Sequence, residues 1–291
     1  MTHIVVLGDV MVDVVTRLSG PVAPGSDTPA RIAFDGGGQA ANTAAWLALA
    51  GAAVTLVARV GDDAPGRAAV AELEALGVEA RVAVDAERPT GTCVVVVAAD
   101  GERTMFPDAG ANAGLAPGDL RDDLLVAGDH LHVAGYALLR EGSRAAALSA
   151  IERARAAAMS VSVDPSSAAL LSEGPRQLGK GVSLLLPNAI EATALTGHED
   201  SVAAAQVLAR SFPEVVVKLG EEGALWTDGK DLVRVGAEPA EVVDATGAGD
   251  AFAAGLLAAR FGDAAPADAL RAGCALAARA VATPGARPDH C

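Results

Sequence analysis

The stretch that decides the fold is Asp244-Ala-Thr-Gly-Ala-Gly-Asp-Ala-Phe252, followed at once by the apolar run Ala253-Ala-Gly-Leu-Leu-Ala-Ala-Arg260. Gly247 and Gly249 allow the backbone to turn tightly, and the alanine- and leucine-rich run behind them predicts a buried helix. A glycine-rich turn that opens a helix directs unpaired N–H groups and the positive end of the helix dipole at one place. The stretch therefore predicts an anion site.

Asp250 stands just inside this turn, where its charge would repel an anion. It can instead take a proton from a hydroxyl group beside a bound phosphate, so the turn indicates phosphoryl transfer to an alcohol. The alternatives are a purely structural turn, since such turns are common, and a nicotinamide-binding Rossmann turn. The Rossmann turn is disfavoured because Phe252 stands where its third glycine or alanine belongs.

Composition narrows the class of protein. The 291 residues are enough for one large α/β domain with a small appendage. The formal charge of −15 disfavours nucleic acids and anionic membranes as partners. No apolar run approaches the ~18–20 residues of a membrane span, and the N-terminus predicts a first strand rather than a signal peptide. Three scattered cysteines indicate a reducing compartment, so we expect a cytoplasmic protein.

Short apolar runs alternate with helical segments, which predicts an α/β fold with a mostly parallel sheet covered on both faces. Segments at approximately 12–34 and 89–106 break this rhythm with alternating polar and apolar residues. We expect them to project as antiparallel strands and to pair into a small β lid. The predicted strands are Ile4–Leu7, Val54–Val57, Val94–Ala98, His130–Val133, Val161–Val163, Ser183–Leu186 and Val215–Leu219. The predicted helices are Ala40–Ala50, Gly66–Leu76, Arg144–Ala158, Ala189–Thr196, Val202–Ala209 and Ala251–Phe261.

A second glycine cluster, Asp35-Gly-Gly-Gly-Gln-Ala-Ala-Asn-Thr-Ala44, leaves room for a ligand close to the backbone. A helix is expected from about Gln39, with Asn42 on its ligand side; the alternative is a lid hinge. Asp13 follows a strand that ends in glycine, at the sheet edge where ligands bind, and it can accept two hydrogen bonds from a polyol. Asp9, in the same segment, is as well explained as a capping or turn residue.

Two further segments have both a functional and a structural interpretation. Asn188 and Glu191 are three residues apart on one helix face, and their oxygens suit a Mg²⁺ ion held mostly through water. The alternative is an ordinary helix cap. Lys218 and the loop 220–223 can meet the phosphates or the base of a nucleotide, or they form only a strand and a hairpin turn.

Together these segments resemble the ribokinase-like carbohydrate kinases of the PfkB family, over essentially the whole chain. Gly36-Gly-Gly-Gln-Ala-Ala-Asn42 is similar to the N-terminal family signature, and Asp244–Asp250 is similar to the highly specific C-terminal one. Asn188-Ala-Ile-Glu191 matches the Asn-x-x-Glu magnesium motif of the family, and Asp164-Pro165 matches its mid-chain strand end.

The resemblance implies a single ribokinase-like domain over residues 1–291, with three α/β/α layers and a small β lid. It also implies transfer of the γ-phosphoryl group of ATP to a hydroxymethyl group of a small sugar, with Mg²⁺ and K⁺, and a homodimer through the lid. Asp250 would be the base, and Gly247, Ala248 and Gly249 would form the anion hole.

The resemblance also implies which residues contact each ligand. The sugar would contact Asp13, Gly37, Gly38, Gln39, Asn42, Tyr136 and Asp250. The nucleotide would contact Asn188, Lys218, Gly220, Gly223 and Gly249. Mg²⁺ would be held through water by Asn188 and Glu191, and K⁺ would be held by Asp244, Thr246, Ala280, Thr283, Gly285 and Asp289.

The chain departs from ribokinase at two positions. Met11 stands where ribokinase usually has Asn, and Gln39 stands where it usually has Lys. Both changes remove hydroxyl partners, so we expect a substrate other than ribose. A nucleoside or sugar-acid kinase of the same family and a non-catalytic metabolite-binding regulator remain alternatives. Tyr136 either lines the sugar pocket or packs in the core, and Arg103 reaches either a charged substrate or solvent.

Overall fold

The computed structural model describes residues 2–98, 100, 102–171 and 178–288. Within them a large sheet of nine strands forms the middle layer. From one edge to the other, its strands are β13 (Leu232–Val235), β12 (Ala224–Thr227), β11 (Glu214–Lys218), β10 (Leu184–Leu185), β9 (Ser160–Asp164), β8 (His130–Ala134), β1 (Ile4–Leu7), β4 (Val54–Gly61) and β5 (Glu79–Asp85).

The strands from β11 to β5 are parallel, and β12 and β13 form an antiparallel extension at one edge. The predicted mostly parallel sheet is thus confirmed. The sequence analysis missed β5, β12 and β13. β5 and β13 are edge strands in which charged and apolar residues alternate, so they lack the continuous apolar run of a central strand.

Helices cover both faces of this sheet. Helices α1 (Gln39–Leu49), α2 (Ala64–Ala75), α7 (Ala248–Arg260) and α8 (Pro266–Val281) share a hydrophobic core with one face. Helices α3 (Gly135–Leu139), α4 (Glu141–Ala156), α5 (Ala189–Thr196) and α6 (Ser201–Leu208) share a second core with the other face. The arrangement is the expected three-layer α/β/α fold. Among the described residues, no helix combines the length and the apolar character needed to cross a membrane.

A small sheet projects from this body, as the two segments without helical rhythm predicted. Its order is β3 (Ala30–Gly37), β2 (Met11–Leu18), β6 (Gly91–Val97) and β7 (Arg103–Asp108). The predicted strand at Val94–Ala98 belongs to it. The expectation of antiparallel pairing holds within each of the two hairpins. It is wrong for β2 and β6, the strands at which the two hairpins pair, because these two strands run parallel.

The carboxyl edge of the large sheet collects the polar candidates of the sequence. Asp9 follows β1, Tyr136 follows β8, and Asp164 and Lys218 end β9 and β11. Because parallel strands all end at one edge, residues from distant parts of the chain meet there. The chain passes from this edge directly into the small sheet, because β1 ends at Leu7 and β2 begins at Met11.

Candidate active site

The glycine-rich turn opens a helix as the sequence predicts. Gly247 has a φ of 75°, a left-handed conformation that favours glycine, and α7 begins at Ala248. A Cβ atom on Gly247 would lie 2.5 Å from the carbonyl oxygen of Ala286, so the C-terminal tail packs closely on this turn. The N–H groups of Ala248, Gly249 and Asp250 belong to the first turn of α7, where helix geometry supplies no intrahelical acceptors.

Asp250 is linked to the second glycine cluster by a chain of hydrogen bonds. Asn42 lies in the first turns of α1 and donates from Nδ2 to Asp250 Oδ2 at 3.0 Å. The buried Arg287 donates from Nε to Asn42 Oδ1 at 3.2 Å and from Nη2 to the carbonyl oxygen of Gly37 at 2.8 Å. Arg287 thereby fixes which end of the Asn42 amide faces Asp250.

The pKa of Asp250 is raised from 3.8 to about 8. Its side chain keeps some exposure toward the cleft, but loss of hydration inside the protein is the largest cause of the shift. The hydrogen bond from Asn42 and the charge of Lys218 lower the pKa, while the carboxylates of Asp164 and Asp9 raise it. The balance of these effects favours the protonated form of Asp250 more than in an ordinary aspartate.

Lys218 supplies a buried positive charge at the same place. Its Nζ lies 2.5 Å from Asp164 Oδ2, and a Cβ atom on Gly249 would lie 3.5 Å from that Nζ. Burial lowers the pKa of Lys218, but Asp164 and Glu191 outweigh it, so the pKa is raised and the ammonium stays charged. The Lys218 ammonium thus lies beside the first turn of α7, although the residue itself ends β11. This position suits an interaction with phosphate groups better than one with a nucleotide base.

Asn188 and Glu191 form a capping box at the start of α5. The Asn188 side chain accepts from the N–H of Glu191 at 2.8 Å, and Glu191 Oε2 accepts from the N–H of Asn188 at 2.9 Å. The two residues therefore cap the helix, and Asn188 precedes the helix instead of sharing its face. The cap uses one oxygen of each side chain, so the Mg²⁺ interpretation stays a prediction. Glu191 is buried, and loss of hydration raises its pKa. The neighbouring Asp164 carboxylate raises the pKa of Glu191 further. Within the described residues, no group of three or more His, Cys, Asp or Glu side chains is arranged to hold a metal.

The expected sugar residues surround the N-terminal glycine cluster. The Asp13 carboxylate packs on Gly37, where a Cβ atom would lie 2.4 Å from its Oδ1. Burial, opposed by Arg287, raises the Asp13 pKa to about 6. Gly38 has a φ of 95°, and a Cβ there would lie 2.6 Å from the carbonyl oxygen of Asp9. Asp9 accepts from the N–H of Ala40 at 3.2 Å, in agreement with its interpretation as a cap.

The two positions that depart from ribokinase are engaged within the protein. Gln39 Oε1 accepts a hydrogen bond from the Ser166 hydroxyl. Met11 is buried with Cys93 and Val95 in the core of the small sheet, and Asn112 Nδ2 lies 3.3 Å from its sulfur. The sulfur of Met11 and the side-chain oxygen of Gln39 are thus both engaged within the protein.

Tyr136 is half-buried at the end of β8. It lines a small pocket together with Gly8, Asp9, Asn112 and Arg140. The Arg140 guanidinium lies 4.9 Å from the centre of its ring, within the range of a cation–π contact. The pocket interpretation of Tyr136 thus agrees with its position.

The glycines of the 220–223 loop have a different relation to the site. Gly223 has a φ of 91°, and a Cβ there would lie 2.0 Å from the carbonyl oxygen of Val235, so backbone packing requires this glycine. Gly220, with a φ of 60°, has no atom within 4 Å of a Cβ position and is open. Of the two, Gly220 has room for a ligand.

Asp244 organises the turn that precedes α7. Its Oδ1 accepts from the N–H of Thr246 at 2.9 Å and from Arg103 Nη2 at 2.8 Å, and its Oδ2 accepts from the N–H of Gly285 at 3.4 Å. Arg103 Nη1 also donates to the Thr246 hydroxyl. Burial would raise the Asp244 pKa, but these hydrogen bonds hold it at about 2. The interpretation that Arg103 reaches only solvent is therefore wrong, and its contact with a charged substrate stays a prediction.

The other residues expected around a potassium ion lie in the tail next to this turn. The carbonyl oxygen of Ala280 accepts from the N–H and the hydroxyl of Thr283, both at 3.2 Å. The N–H groups of Val243 and Asp244 both donate to the carbonyl oxygen of Val281. Asp289 lies outside the described residues.

The comparisons with known proteins agree with this geometry. Residues 1–290 match the family described as pfkB family carbohydrate kinase. The chain belongs to this family. The protein is accordingly an enzyme, a sugar kinase that transfers a phosphoryl group to an alcohol.

Individual PfkB relatives are moderately similar to the chain. A fructokinase from Klebsiella pneumoniae is 34% identical over 265 residues, which are 87% of this chain and 82% of the relative. The structure of adenosine kinase from Sinorhizobium meliloti matches with a TM-score of 0.87 at 26% identity, over 99% of this chain and 95% of that one. A fructokinase double mutant from Vibrio cholerae O395, in a fructose-, ADP- and potassium-bound form, matches with a TM-score of 0.82 at 25% identity, over 98% and 94%.

Sequence reasoning missed the roles of Arg287 and Arg103. Arg287 lies 245 residues from Asn42, and nothing nearby in the sequence marks it as the partner of Asn42. Arg103 meets Asp244 from 141 residues away. One general rule could have indicated these roles. An arginine that is buried in an acidic protein needs a carboxylate or a carbonyl oxygen as its partner.

The raised pKa of Asp250 predicts a pH-dependent difference in stability between the wild type and Asp250→Asn. A carboxyl group whose folded-state pKa lies above its unfolded value loses stabilising free energy as pH rises from about 4 through about 8. The free energy of unfolding of Asp250→Asn, measured by urea denaturation, should therefore increase relative to that of the wild type as pH rises through this range.

The matched control is Asp268→Asn, since Asp268 is an exposed acid in the first turn of α8. Its stability difference from the wild type, measured over the same range of pH, is the baseline for the comparison. A stability difference for Asp250→Asn that changes with pH no more than this baseline would show that Asp250 ionises normally in the folded protein.

Proposed function

We propose that the protein transfers the γ-phosphoryl group of ATP to a hydroxymethyl group of a small sugar, with Asp250 as the base. The observation that carries this proposal is the position of Asp250. It lies in the first turn of α7, beside the Lys218 ammonium, and is hydrogen-bonded to Asn42. A binding protein that only holds a metabolite has no need of a carboxyl group beside a phosphate site, so the non-catalytic alternative is less well supported.

In the proposed step, a substrate hydroxyl oxygen forms a bond to the γ-phosphorus as the bond from that phosphorus to the β,γ-bridging oxygen breaks. The hydroxyl proton passes to Asp250, which must first be ionised. The N–H groups of Gly247, Ala248 and Gly249, with Lys218, would stabilise the charge on the transferring group. The small sheet would close over the sugar as a lid and exclude water from the reaction.

Magnesium fits this site as an ion held mainly by water and phosphate oxygens. Glu191 is buried, carries a raised pKa and uses only Oε2 in its capping box. A divalent cation nearby would favour its ionised form. We propose that Glu191 and Asn188 bind the hydration shell of Mg²⁺, which would neutralise charge on the phosphates. Gly220 would border the nucleotide.

The sugar would bind between the small sheet and α7. Asp13, the Gly37 and Gly38 backbone and Asn42 would hold its hydroxyl groups, and Tyr136 would pack against it. We propose a hexose, with a nucleoside or a sugar acid as the alternative. The fructokinase relative supports the first, and the similarity to adenosine kinase supports the nucleoside.

We also propose a homodimer through the small sheet. The register puts Phe34, Val94 and Phe106 on its outer face, and Ile32 lies on the same face. Phe34 is 75% exposed and Ile32 62%, and contiguous exposed apolar side chains are typical of interaction surfaces.

Asp250→Asn should lower kcat by roughly 10²–10⁴-fold, the usual range for loss of a general base. Affinity for ADP, measured by calorimetry, should hold or improve because a negative charge near the phosphates is gone. The exposed Asp268→Asn serves as the control and should keep the wild-type rate. Near wild-type turnover by Asp250→Asn would remove Asp250 from the mechanism, and an inactive wild type that still binds sugars would favour the regulator.

The substrate preference can be measured separately. Since Met11 and Gln39 are engaged within the protein, the site offers ribose fewer hydrogen bonds than a ribokinase does, and kcat/KM should be higher for another substrate. The panel is ribose, fructose, 2-keto-3-deoxygluconate and adenosine, with saturating ATP and Mg²⁺. Ribose leading by about tenfold, or about 1.4 kcal/mol in transition-state stabilisation, would contradict this inference.

A further inference from the structure

Arg103 joins the small sheet to the turn before the anion hole. It is the first residue of β7, and its guanidinium crosses the cleft to the Asp244 carboxylate and the Thr246 hydroxyl. Val97, Arg103 and Asp244 are among the residues that line this cleft. The forked contact to a carboxylate and a neighbouring hydroxyl uses the fixed donor geometry that distinguishes arginine from lysine.

Potassium, which the resemblance implies at this turn, does not fit the arrangement of donors. Both oxygens of the Asp244 carboxylate accept hydrogen bonds, Oδ1 from Arg103 and Thr246 and Oδ2 from the Gly285 N–H. The carboxylate is thus already paired with a cation. A second positive charge beside it would be repelled by the guanidinium only a few ångströms away.

We propose that Arg103 acts as a built-in cation, which takes the place of a monovalent metal ion and orders residues 244–247 ahead of α7. The inference rests on the proposed function. Asp244 folds this turn by accepting the Thr246 N–H, a local contact that fixes the backbone. Gly247 follows directly, so ordering the turn aligns the N–H groups at the start of α7. Arg103 is a positioning residue in this scheme, because it acts through Asp244.

The position of Arg103 on the small sheet couples this ordering to closure of the lid. The cation reaches Asp244 only while β7 lies over the cleft, so the anion hole is completed when the sugar is covered. A dissolved potassium ion would order the same turn whether the lid is open or closed.

The test compares kcat of the wild type and Arg103→Ala in potassium chloride and in tetramethylammonium chloride at equal ionic strength. The wild-type rates should agree within about twofold. In tetramethylammonium the variant should lose about tenfold or more, as expected for disturbed anion-hole donors. Added potassium or guanidinium ions should raise kcat of the variant several-fold, and the effect should saturate, because these ions bind where the side chain was removed.

Two further variants complete the experiment. Arg67→Ala removes an exposed ion pair with Asp62, has the same change in charge and should behave as the wild type in both salts. Arg103→Lys keeps a cation and should retain part of the rate without a response to potassium. A melting temperature that rises with potassium more for Arg103→Ala than for the wild type gives a readout that needs no kinase activity.

The outcomes separate this inference from the proposed function. A wild type with no kinase activity in either salt would contradict the proposed function. An active wild type that gains about fivefold or more from potassium would show that the ion, and not Arg103, serves the turn. A variant that loses activity without rescue by potassium or guanidinium, or one that loses none, would also overturn the inference.

Discussion

The proposed active site depends on the hydrogen bond from Asn42 to Asp250. It joins two glycine-rich segments that lie 208 residues apart and bridges the first turns of α1 and α7. An amide N–H that points at a buried carboxyl group favours its ionised form, which the proposed base must reach. Arg287 makes this possible by binding the other end of the amide, so that Nδ2 and not Oδ1 faces Asp250.

The charges around Asp250 act in opposition. Loss of hydration and the carboxylates of Asp164 and Asp9 raise the pKa of Asp250, whereas Asn42 and Lys218 lower it. Lys218 is itself paired with Asp164, so part of its charge is already compensated. Arrival of phosphate groups and a divalent cation would rearrange these contributions. In the proposed mechanism, ligand binding would therefore change the pKa of Asp250 before it acts as the base.

The sequence predicted the parts of the fold whose cause is local. Apolar runs marked the central strands, and the glycine turns marked the starts of α1 and α7, because both are properties of short segments. The edge strand β5 was missed since alternation of charged and apolar residues is a weak signal. The partners of Asn188 followed from a cap motif, but those of Asp244 and Asn42 did not, because Arg103 and Arg287 reach them from far along the chain.

The central claim is that Asn42 tunes Asp250 as the base, and the most direct measurement is the pH dependence of kcat/KM for the wild type and Asn42→Ala. This parameter reports the ionisation of the free enzyme. In the wild type its acid limb should have a midpoint near pH 8, following the Asp250 pKa. The limb should move to higher pH in Asn42→Ala, since loss of the hydrogen bond raises that pKa. An acid limb near pH 4 in the wild type, or one that Asn42→Ala leaves in place, would contradict the account.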